Sequence, residues 1–437
     1  GIETLQMQGL KKQGLIYYRE GVNSTVSVHR LDGSNLDLRI NGKTDASLGD
    51  MATQVLVGQI PQLFGAEAAD RYLVIGLASG ITAGSITLHQ PSHIDVMELE
   101  PAVVEASHYF DEYNNRPLDN PRVQVIADDA RAFMGTVREP YDVIISEPSN
   151  PWLSGASSLF TREFFQAAKM ALREDGVLMQ WLQLYWIDTA SVQAVLKSLR
   201  SQFPYLYGFL SQKDDPDLLI LARQTPLNGE NLPDWRTLPS GIKRELNRIN
   251  LYSSADLWSL LRLTPQDFDQ IIGDSRVENT DDNMFVALRS PWHLFDSSDD
   301  VLAMFQPGNE GVLALENVSL SANDIAALAL SHMWRRNDMV MAARMAAIAL
   351  NSGESANGRI FTAELRNSVY NKDKNKISSR FDRAVQLEPD GYFPRVARAY
   401  YLYETDNMDK ALEDVELALS VEPEYWPARR LKLDILI

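Results

Sequence analysis

The sequence predicts a doubly wound α/β domain, preceded by a small antiparallel β-unit and followed by an all-α repeat region. Three observations predict it. Five short apolar runs alternate with helical stretches from Arg71 onward, Asp-Gly and Asn-Gly pairs punctuate β-prone runs before them, and a period of 34 residues recurs near the end. At 437 residues the chain exceeds one ordinary core. Its 45% hydrophobic and 23% charged residues are globular values, so a folded chain of several domains is expected.

Residues 15–40 carry short β-prone runs broken at Glu20-Gly21 and Asp32-Gly33, with Asn41-Gly42 just after. Such pairs between alternating segments signal hairpins. A helix at about 50–64 should follow, closing an N-terminal unit over residues 1–60. The apolar runs Tyr72–Ile75, Ile94–Leu99, Val123–Ile126, Val143–Ser146 and Val177–Trp181 then read as buried strands separated by helices. That pattern means a parallel sheet with helices on both faces. The segment 215–223 reads as the closing strand of a nucleotide-binding domain over residues 61–223.

Residues 224–315 read as a mostly helical extension. In the region 316–437, Pro389 and Pro423 lie 34 residues apart, as do Ala384 and Ala418. Ala inside a second helix and Pro closing it at that period is the tetratricopeptide pattern. Met339, Met341 and Met345 at helical spacing read as repeat core.

Composition excludes several chemistries. With no cysteine there is no disulfide, thiolate metal site or Cys nucleophile, and the six His residues show no ligand spacing, so no metal is expected. A net charge of −18 argues against nucleic acid or an anionic membrane as partner and would draw cations inward. No apolar run approaches the roughly 18 residues of a membrane span. The chain opens at Gly1 without a Met, which leaves room for a preceding segment. The expected location is the cytoplasm, or the soluble part of a membrane-anchored protein.

The residues that carry chemistry fall at successive strand ends. The first strand runs into Gly76-Leu77-Ala78-Ser79-Gly80, whose small residues let backbone N–H groups approach a ligand, with Ala78 in place of a usual second glycine. The same loop would also serve as a plain strand–helix turn. The second strand ends in Met97-Glu98-Leu99-Glu100, where an acid can accept from both ribose hydroxyls. The third ends in Ala127-Asp128-Asp129-Ala130, where a carboxylate can take an adenine amino group. The three features stand in the order of one adenosine pocket. The fourth strand delivers Glu147-Pro148-Ser149-Asn150-Pro151-Trp152. A desolvated carboxylate there can bind an amine and accept its proton. Trp181, Tyr185 and Trp186 would wall the acceptor side or pack in the core.

These strings, and YDVIISEPSNPWLSGASSLFTREFF over 141–165 above all, resemble the spermidine synthase (polyamine aminopropyltransferase) family over roughly residues 15–223, and its divergent bacterial branch in particular. NTDD at 279–282 resembles the same branch. The resemblance implies a Rossmann-like fold of the S-adenosylmethionine-dependent methyltransferase type and a decarboxylated S-adenosylmethionine, or S-adenosylmethionine, co-substrate. It further implies an amine or polyamine acceptor and a homodimer. It implies roles for Glu98 at the ribose, Asp129 at the adenine, Gln54 beside the nucleotide, Glu147 as catalytic acid–base group and Gln180 at the end of the fifth strand.

The departures are specific. Glu147 stands where the family keeps Asp, Asn150 replaces the loop's second Asp, Ser79 replaces a glycine-loop Asp, and Thr53 replaces a substrate-side Tyr. Two of three carboxylates expected to recognise cationic groups are therefore absent, which puts putrescine as acceptor and a decarboxylated donor in doubt. The sequence thus admits three activities. One is aminopropyl transfer that releases methylthioadenosine. The second is methyl transfer, for which Asn150-Pro151-Trp152 would grip an amino nitrogen. The third is a non-catalytic nucleotide sensor whose helical repeats bind a protein partner.

Overall fold

The computed structural model describes residues 14–436 apart from 32–34, 67, 151–155, 213–214, 294–297, 306–310, 337, 352–373 and 424. The chain forms two compact units. One comprises Gly1–Pro233, Pro239–Ile249 and Leu261–Glu316; the other comprises Asp234–Leu238, Asn250–Leu260 and Asn317–Ile437. Segment 224–315 is divided between them.

The first unit opens with β1 (Leu15–Glu20), β2 (Thr25–Arg30), β3 (Leu36–Ile40) and β4 (Lys43–Ser47), an antiparallel sheet in sequence order. Asn41 (φ 52°) and Gly42 (φ 82°) both adopt the left-handed backbone, as a two-residue hairpin turn between right-twisted strands requires. The Asp32-Gly33 pair lies outside the described residues. Helix α1 (Met51–Phe64) follows.

The α/β domain then runs β5 (Arg71–Ile75), α2 (Ile81–Thr87), β6 (His93–Met97), α3 (Pro101–Ser107), β7 (Val123–Ile126), α4 (Ala130–Met134) and β8 (Tyr141–Ser146). It continues with α5 (Arg162–Ala171), β9 (Leu172–Gln183), α6 (Thr189–Arg200), β10 (Tyr205–Phe209) and β11 (Asp217–Arg223). All six residues of β8 are buried, which explains its unbroken apolar run. With a further short strand, β12 (Leu261–Leu263), at one edge, the strand order is β12-β10-β11-β9-β8-β5-β6-β7. The run from β7 to β9 is parallel, and β11 is antiparallel to both β9 and β10. The expected parallel sheet is thus extended by an antiparallel edge, because β10 and β11 form a hairpin and β11 takes the inner place. The order reverses between β5 and β8, and ligands of open α/β sheets sit outside the strand ends at such a point.

Helix α7 (Ser240–Arg248) also belongs to this unit, while α8 (Ser254–Trp258) belongs to the other. Edge strand β12 (Leu261–Leu263), α9 (Pro265–Ile272), α10 (Phe285–Arg289) and α11 (Asp299–Met304) complete the first unit. The NTDD string has a structural task. Asn279 is 1% exposed; its amide donates to Phe160 O (2.9 Å), accepts from Val286 N (3.1 Å), and its backbone N–H donates to Ser198 Oγ (2.8 Å). It thereby joins the extension to α5 and α6. The core there is built by Phe160, Phe164, Phe165, Leu182, Val192 and Phe203.

In the second unit, α12 (Ala322–Arg336), α13 (Met339–Asn351), α14 (Lys374–Leu387), α15 (Tyr392–Glu404), α16 (Met408–Val421) and α17 (Trp426–Leu436) succeed one another. Ala384 and Ala418 are fully buried, as are Met341 and Met345. Contacts recur at the 34-residue spacing: Arg395 and Arg429 donate to the carbonyls of Pro389 and Pro423, and Arg398–Asp382 is matched by Lys432–Glu416. Among the described residues no helix is long and apolar enough to cross a membrane.

Candidate active site

The glycine loop between β5 and α2 has the backbone its composition suggested. Gly76 (φ 100°), Ala78 (φ 45°) and Gly80 (φ 78°) all adopt positive φ. A Cβ on Gly76 would lie 2.9 Å from the Glu147 carbonyl oxygen, so glycine is needed for β5 and β8 to diverge at this point. Ser79 is fully buried. Its hydroxyl donates to Gln54 Oε1 and accepts from Ile81 N (3.2 Å), so the side chain is engaged within the fold.

Gln54 lies in the first turn of α1 and is 8% exposed. Its amide N–H groups donate to Ser47 O (2.9 Å) and Asp50 Oδ1 (3.1 Å). With its donors and Oε1 all engaged, Gln54 positions the loop and has no N–H left for a nucleotide.

Glu98, just beyond β6, is half-buried and bridges two loops. Oε2 accepts from Leu77 N (3.2 Å) and Oε1 from Glu100 N (2.9 Å). Each oxygen retains a lone pair, as ribose hydroxyls would require. Burial outweighs these donors and pushes its pKa up to about 7. Its neighbour Glu100 is 4% exposed and accepts from the backbone N–H groups of Asn23, Ser24 and Ala102 (2.8, 3.1 and 3.2 Å). Glu100 thus ties the β1–β2 turn to the α/β domain.

Asp128 and Asp129 are exposed. Asp129 Oδ1 accepts from Ala132 N (2.9 Å) and caps α4, while Ala130 is buried. The glycine loop, Glu98 and Asp129 follow β5, β6 and β7, three adjacent parallel strands, on one edge of the sheet.

Glu147 follows β8 on the other side of the switch point and is half-buried. Thr82 Oγ1 is 3.0 Å from Glu147 Oε1 and 3.0 Å from Gln54 O. Burial, and then the charges of Asp50 and Asp45, push the Glu147 carboxyl up to about 8 against the Thr82 hydrogen bond. Asn150 is fully buried with its amide beside the Tyr185 hydroxyl, whose pKa burial raises to about 12. Gln180 is also fully buried and donates to Trp181 O (2.8 Å). Trp152 lies outside the described residues. Trp181 and Tyr185 are half-buried, whereas Trp186 is 43% exposed with φ 55°.

Sequence reasoning missed a second set of acids. Thr53 Oγ1 donates to Asp217 Oδ2 (3.3 Å), Trp181 Nε1 donates to Asp217 Oδ1 (3.1 Å), and Ser149 Oγ donates to Asp45 Oδ1 (2.6 Å). Asp50 accepts from the Ser47 backbone and hydroxyl and from Gln54, and burial raises its pKa. The loss of acids at positions 79 and 150 is therefore accompanied by three carboxylates from β4, the loop before α1, and β11. Only the Asp-Pro-Asp start of β11 hinted at them locally.

Residues 53–211 match the spermine/spermidine synthase domain. A polyamine aminopropyltransferase of Clostridium perfringens (strain SM101 / Type A) is 31% identical over 199 residues, covering 41% of this chain and 65% of that protein. One from Alkaliphilus oremlandii is 28% identical over 198 residues, covering 41% and 67%. Putrescine N-methyltransferase 2 of Nicotiana attenuata is 31% identical over 157 residues, covering 35% and 40%. The chain spans less than two thirds of the length of the first curated relatives it matches. Among solved structures, the spermidine synthase of Thermotoga maritima aligns at 18% identity and a TM-score of 0.48, over 59% of this chain and 87% of that one. The glycine loop, Glu98, Glu147 and Gln180 all fall within the segment 53–211 that is similar to the spermine/spermidine synthase domain.

Proposed function

We propose that this domain transfers an aminopropyl group from decarboxylated S-adenosylmethionine to an amine and releases methylthioadenosine, with Glu147 as the base. The observation that carries this reading is Glu147 itself, a half-buried carboxylate at the switch point, restrained by Thr82 and raised to about 8 by burial. The donor supplies a carbon activated by its sulfonium sulfur. The acceptor's nitrogen lone pair forms the new C–N bond as the C–S bond breaks. The sulfur keeps the bonding pair, and the acceptor's proton passes to a Glu147 oxygen. An amine must be neutral to attack, so a carboxyl poised near the working pH is matched to the task. A nearby sulfonium or ammonium favours the ionised form and lowers the Glu147 pKa on binding. Orientation of the two reactants supplies most of the rate.

Glu98 and the Gly76–Gly80 backbone would hold the ribose and the donor chain, and Asp129 the adenine edge. Thr53, Asn150, Gln180 and Tyr185 would line the acceptor side. The names of the aminopropyltransferase relatives support the reaction type. Further parts of the reading are a homodimer, a cytoplasmic location, and tetratricopeptide-like repeats in the second unit that offer a protein-binding surface.

Methyl transfer is the second reading, favoured by the uncharged Ser79 and by a relative named for N-methylation of putrescine. The test is to incubate the protein separately with decarboxylated and intact S-adenosylmethionine, each with an amine panel, and to identify the nucleoside product. Methylthioadenosine from the decarboxylated donor, lost in Glu147→Gln, is the expected outcome. S-adenosylhomocysteine would replace the proposal with methyl transfer. Donor binding without turnover would indicate a nucleotide sensor.

A further inference from the structure

Ser79 of the glycine loop is gripped at two points. Its hydroxyl donates to Gln54 Oε1 of α1, and its carbonyl accepts from Asn114 Nδ2 (2.9 Å). The Gln54 carbonyl also accepts from Thr82 (3.0 Å), so α1 holds both the loop and the helix that follows it. Asn114 is 1% exposed; its Nδ2 also donates to Ser107 O (3.2 Å), and its Oδ1 accepts from Arg116 N (2.9 Å). A Cβ on Gly80 would lie 3.1 Å from Asn114 Nδ2, so this segment packs closely on the glycine loop. Asn115 (φ 57°) and Arg116 (φ 51°) follow in the left-handed backbone, which residues with a Cβ keep only where their surroundings hold them.

Both supports of Ser79 meet one side chain. Arg248, the last residue of α7, donates through Nη2 to Tyr113 O (2.6 Å), one residue before Asn114. The same nitrogen lies 3.1 Å from Sδ of Met51, the first residue of α1 and three before Gln54. Its Nη1 donates to Glu245 Oε2 (2.7 Å), one turn back on α7. Glu245 is 3% exposed, and its Oε1 has no hydrogen-bond partner among the described residues, so Arg248 is needed to balance a buried charge. A planar guanidinium anchored through Nη1 to that carboxylate has a fixed direction for Nη2.

We propose that Arg248 is a positioning residue for the donor: by pinning Tyr113 and Met51 with one nitrogen, it sets the glycine loop where its backbone N–H groups meet the nucleoside and donor chain. This rests on the loop's place in the transfer reading above, and adds a determinant that lies outside the segment 53–211. Arg248 itself touches neither the donor nor the reacting atoms. Backbone donors recognise a ligand only where the loop presents them, and a displacement of about 1 Å is enough to be felt. A lysine can keep the charge beside Glu245, but its single ammonium has no fork to hold Glu245 and Tyr113 in a fixed relation.

The test compares wild type, Arg248→Met, Arg248→Lys and Glu245→Gln by calorimetric titration of methylthioadenosine, at a temperature where melting scans show each protein folded. Steady-state turnover with decarboxylated S-adenosylmethionine and an amine panel is measured alongside. Arg248→Met should weaken methylthioadenosine binding about tenfold, the scale of one hydrogen bond from a charged donor. Its KM for the donor should rise similarly, with kcat changed much less, and Arg248→Lys should recover only part of the loss. Glu245→Gln keeps both Nη2 contacts, so it should change the melting temperature but leave the affinity within twofold of wild type. A folded Arg248→Met that binds like wild type, or a Glu245→Gln that loses affinity in step with its melting temperature, overturns the assignment. Should Arg248→Met fail to fold, wild-type affinity in Arg248→Lys overturns it equally. Tenfold weaker binding in Arg248→Met without turnover by any of the proteins would sink the transfer reading and leave the positioning role standing, and a wild type that does not bind methylthioadenosine overturns both.

Discussion

The Thr82 hydroxyl sits 3.0 Å from Glu147 Oε1 and 3.0 Å from the Gln54 carbonyl oxygen. It carries one proton and donates to one of them at a time. When Glu147 is ionised the hydroxyl turns to it; when Glu147 is neutral the Gln54 carbonyl is the better acceptor. Thr82→Val removes a donor that favours the charged form, so the Glu147 pKa should rise further. The pH profile of kcat/KM, which reports the free enzyme, should show an ascending limb near 8 in wild type and a more alkaline limb in the variant. The limb in kcat should lie lower than that in kcat/KM, since bound cations favour the carboxylate. Coincident limbs in both proteins would remove Glu147 from the assigned role.

Replacing Glu147 by Gln separates activity from stability. Loss of the base should lower kcat by about 100-fold or more. The folded-state pKa of about 8 exceeds the unfolded value of 4.5, so the unfolded chain releases its proton first. This carboxyl therefore lowers the stability of the ligand-free protein progressively as pH rises from about 4.5 to 8, and the penalty is complete above 8. Glu147→Gln should melt higher than wild type at pH 9 and close to it at pH 4.5. Calorimetric scans at the two pH values check the sign.

Glu98 accepts from two backbone N–H groups at once, which a neutral amide cannot do with its NH2 end. Glu98→Gln should loosen the loop at Leu77 and weaken methylthioadenosine binding by about 10-fold or more, the scale of a charge-assisted hydrogen bond. Titration of methylthioadenosine reads this directly, and equal affinities would place the nucleoside elsewhere.

Gly84 lies inside α2, where an added Cβ would fall 1.6 Å from Asn114 O. The Asn114 amide donates to Ser79 O (2.9 Å), so any displacement of Asn114 is passed to the glycine loop. Gly84→Ala should cost about 1–3 kcal/mol, the scale of overpacking, and weaken nucleoside binding in parallel. A melting temperature and a methylthioadenosine affinity both equal to wild type would refute the coupling.

In the second unit Asp414 is 2% exposed and is held by the Arg398 Nε and Nη2 atoms at 2.6 and 2.7 Å. Among the described residues, Arg398→Ala leaves that buried charge with Arg395 at 3.5 Å as its remaining ion-pair partner. Loss of a fully buried partner costs about 3–5 kcal/mol, and since the Arg398 side chain is 25% exposed a loss of about 2 kcal/mol is expected. Denaturant unfolding of the full chain checks it.

Much of the proposed nucleotide side was legible in sequence because it is local. A buried strand needs an unbroken apolar run, a tight strand–helix turn needs Gly76 and Gly80, and an acid at a strand end lies on the ligand edge of the sheet by construction. Glu98 and Glu147 could therefore be placed from their strands alone. Ser79 and Gln54 could be named but not understood, because their mutual hydrogen bond joins two elements 25 residues apart.

The proposed acceptor side depends on tertiary structure. Asp45, Asp50 and Asp217 come from a small sheet, a loop and an edge hairpin, and no spacing links them. Gln183 faces Asp217 only because β11 enters between β9 and β10 in one antiparallel register; a slip of one residue would turn the Asp217 carboxylate to the other face. The sequence by itself determined the strands, the glycine loop and the carboxylates at the strand ends, since each depends on residues adjacent in the chain. Which distant acids come together near Glu147 was left to strand order and register, because charge in a site is a property of proximity in space and not of position in the chain.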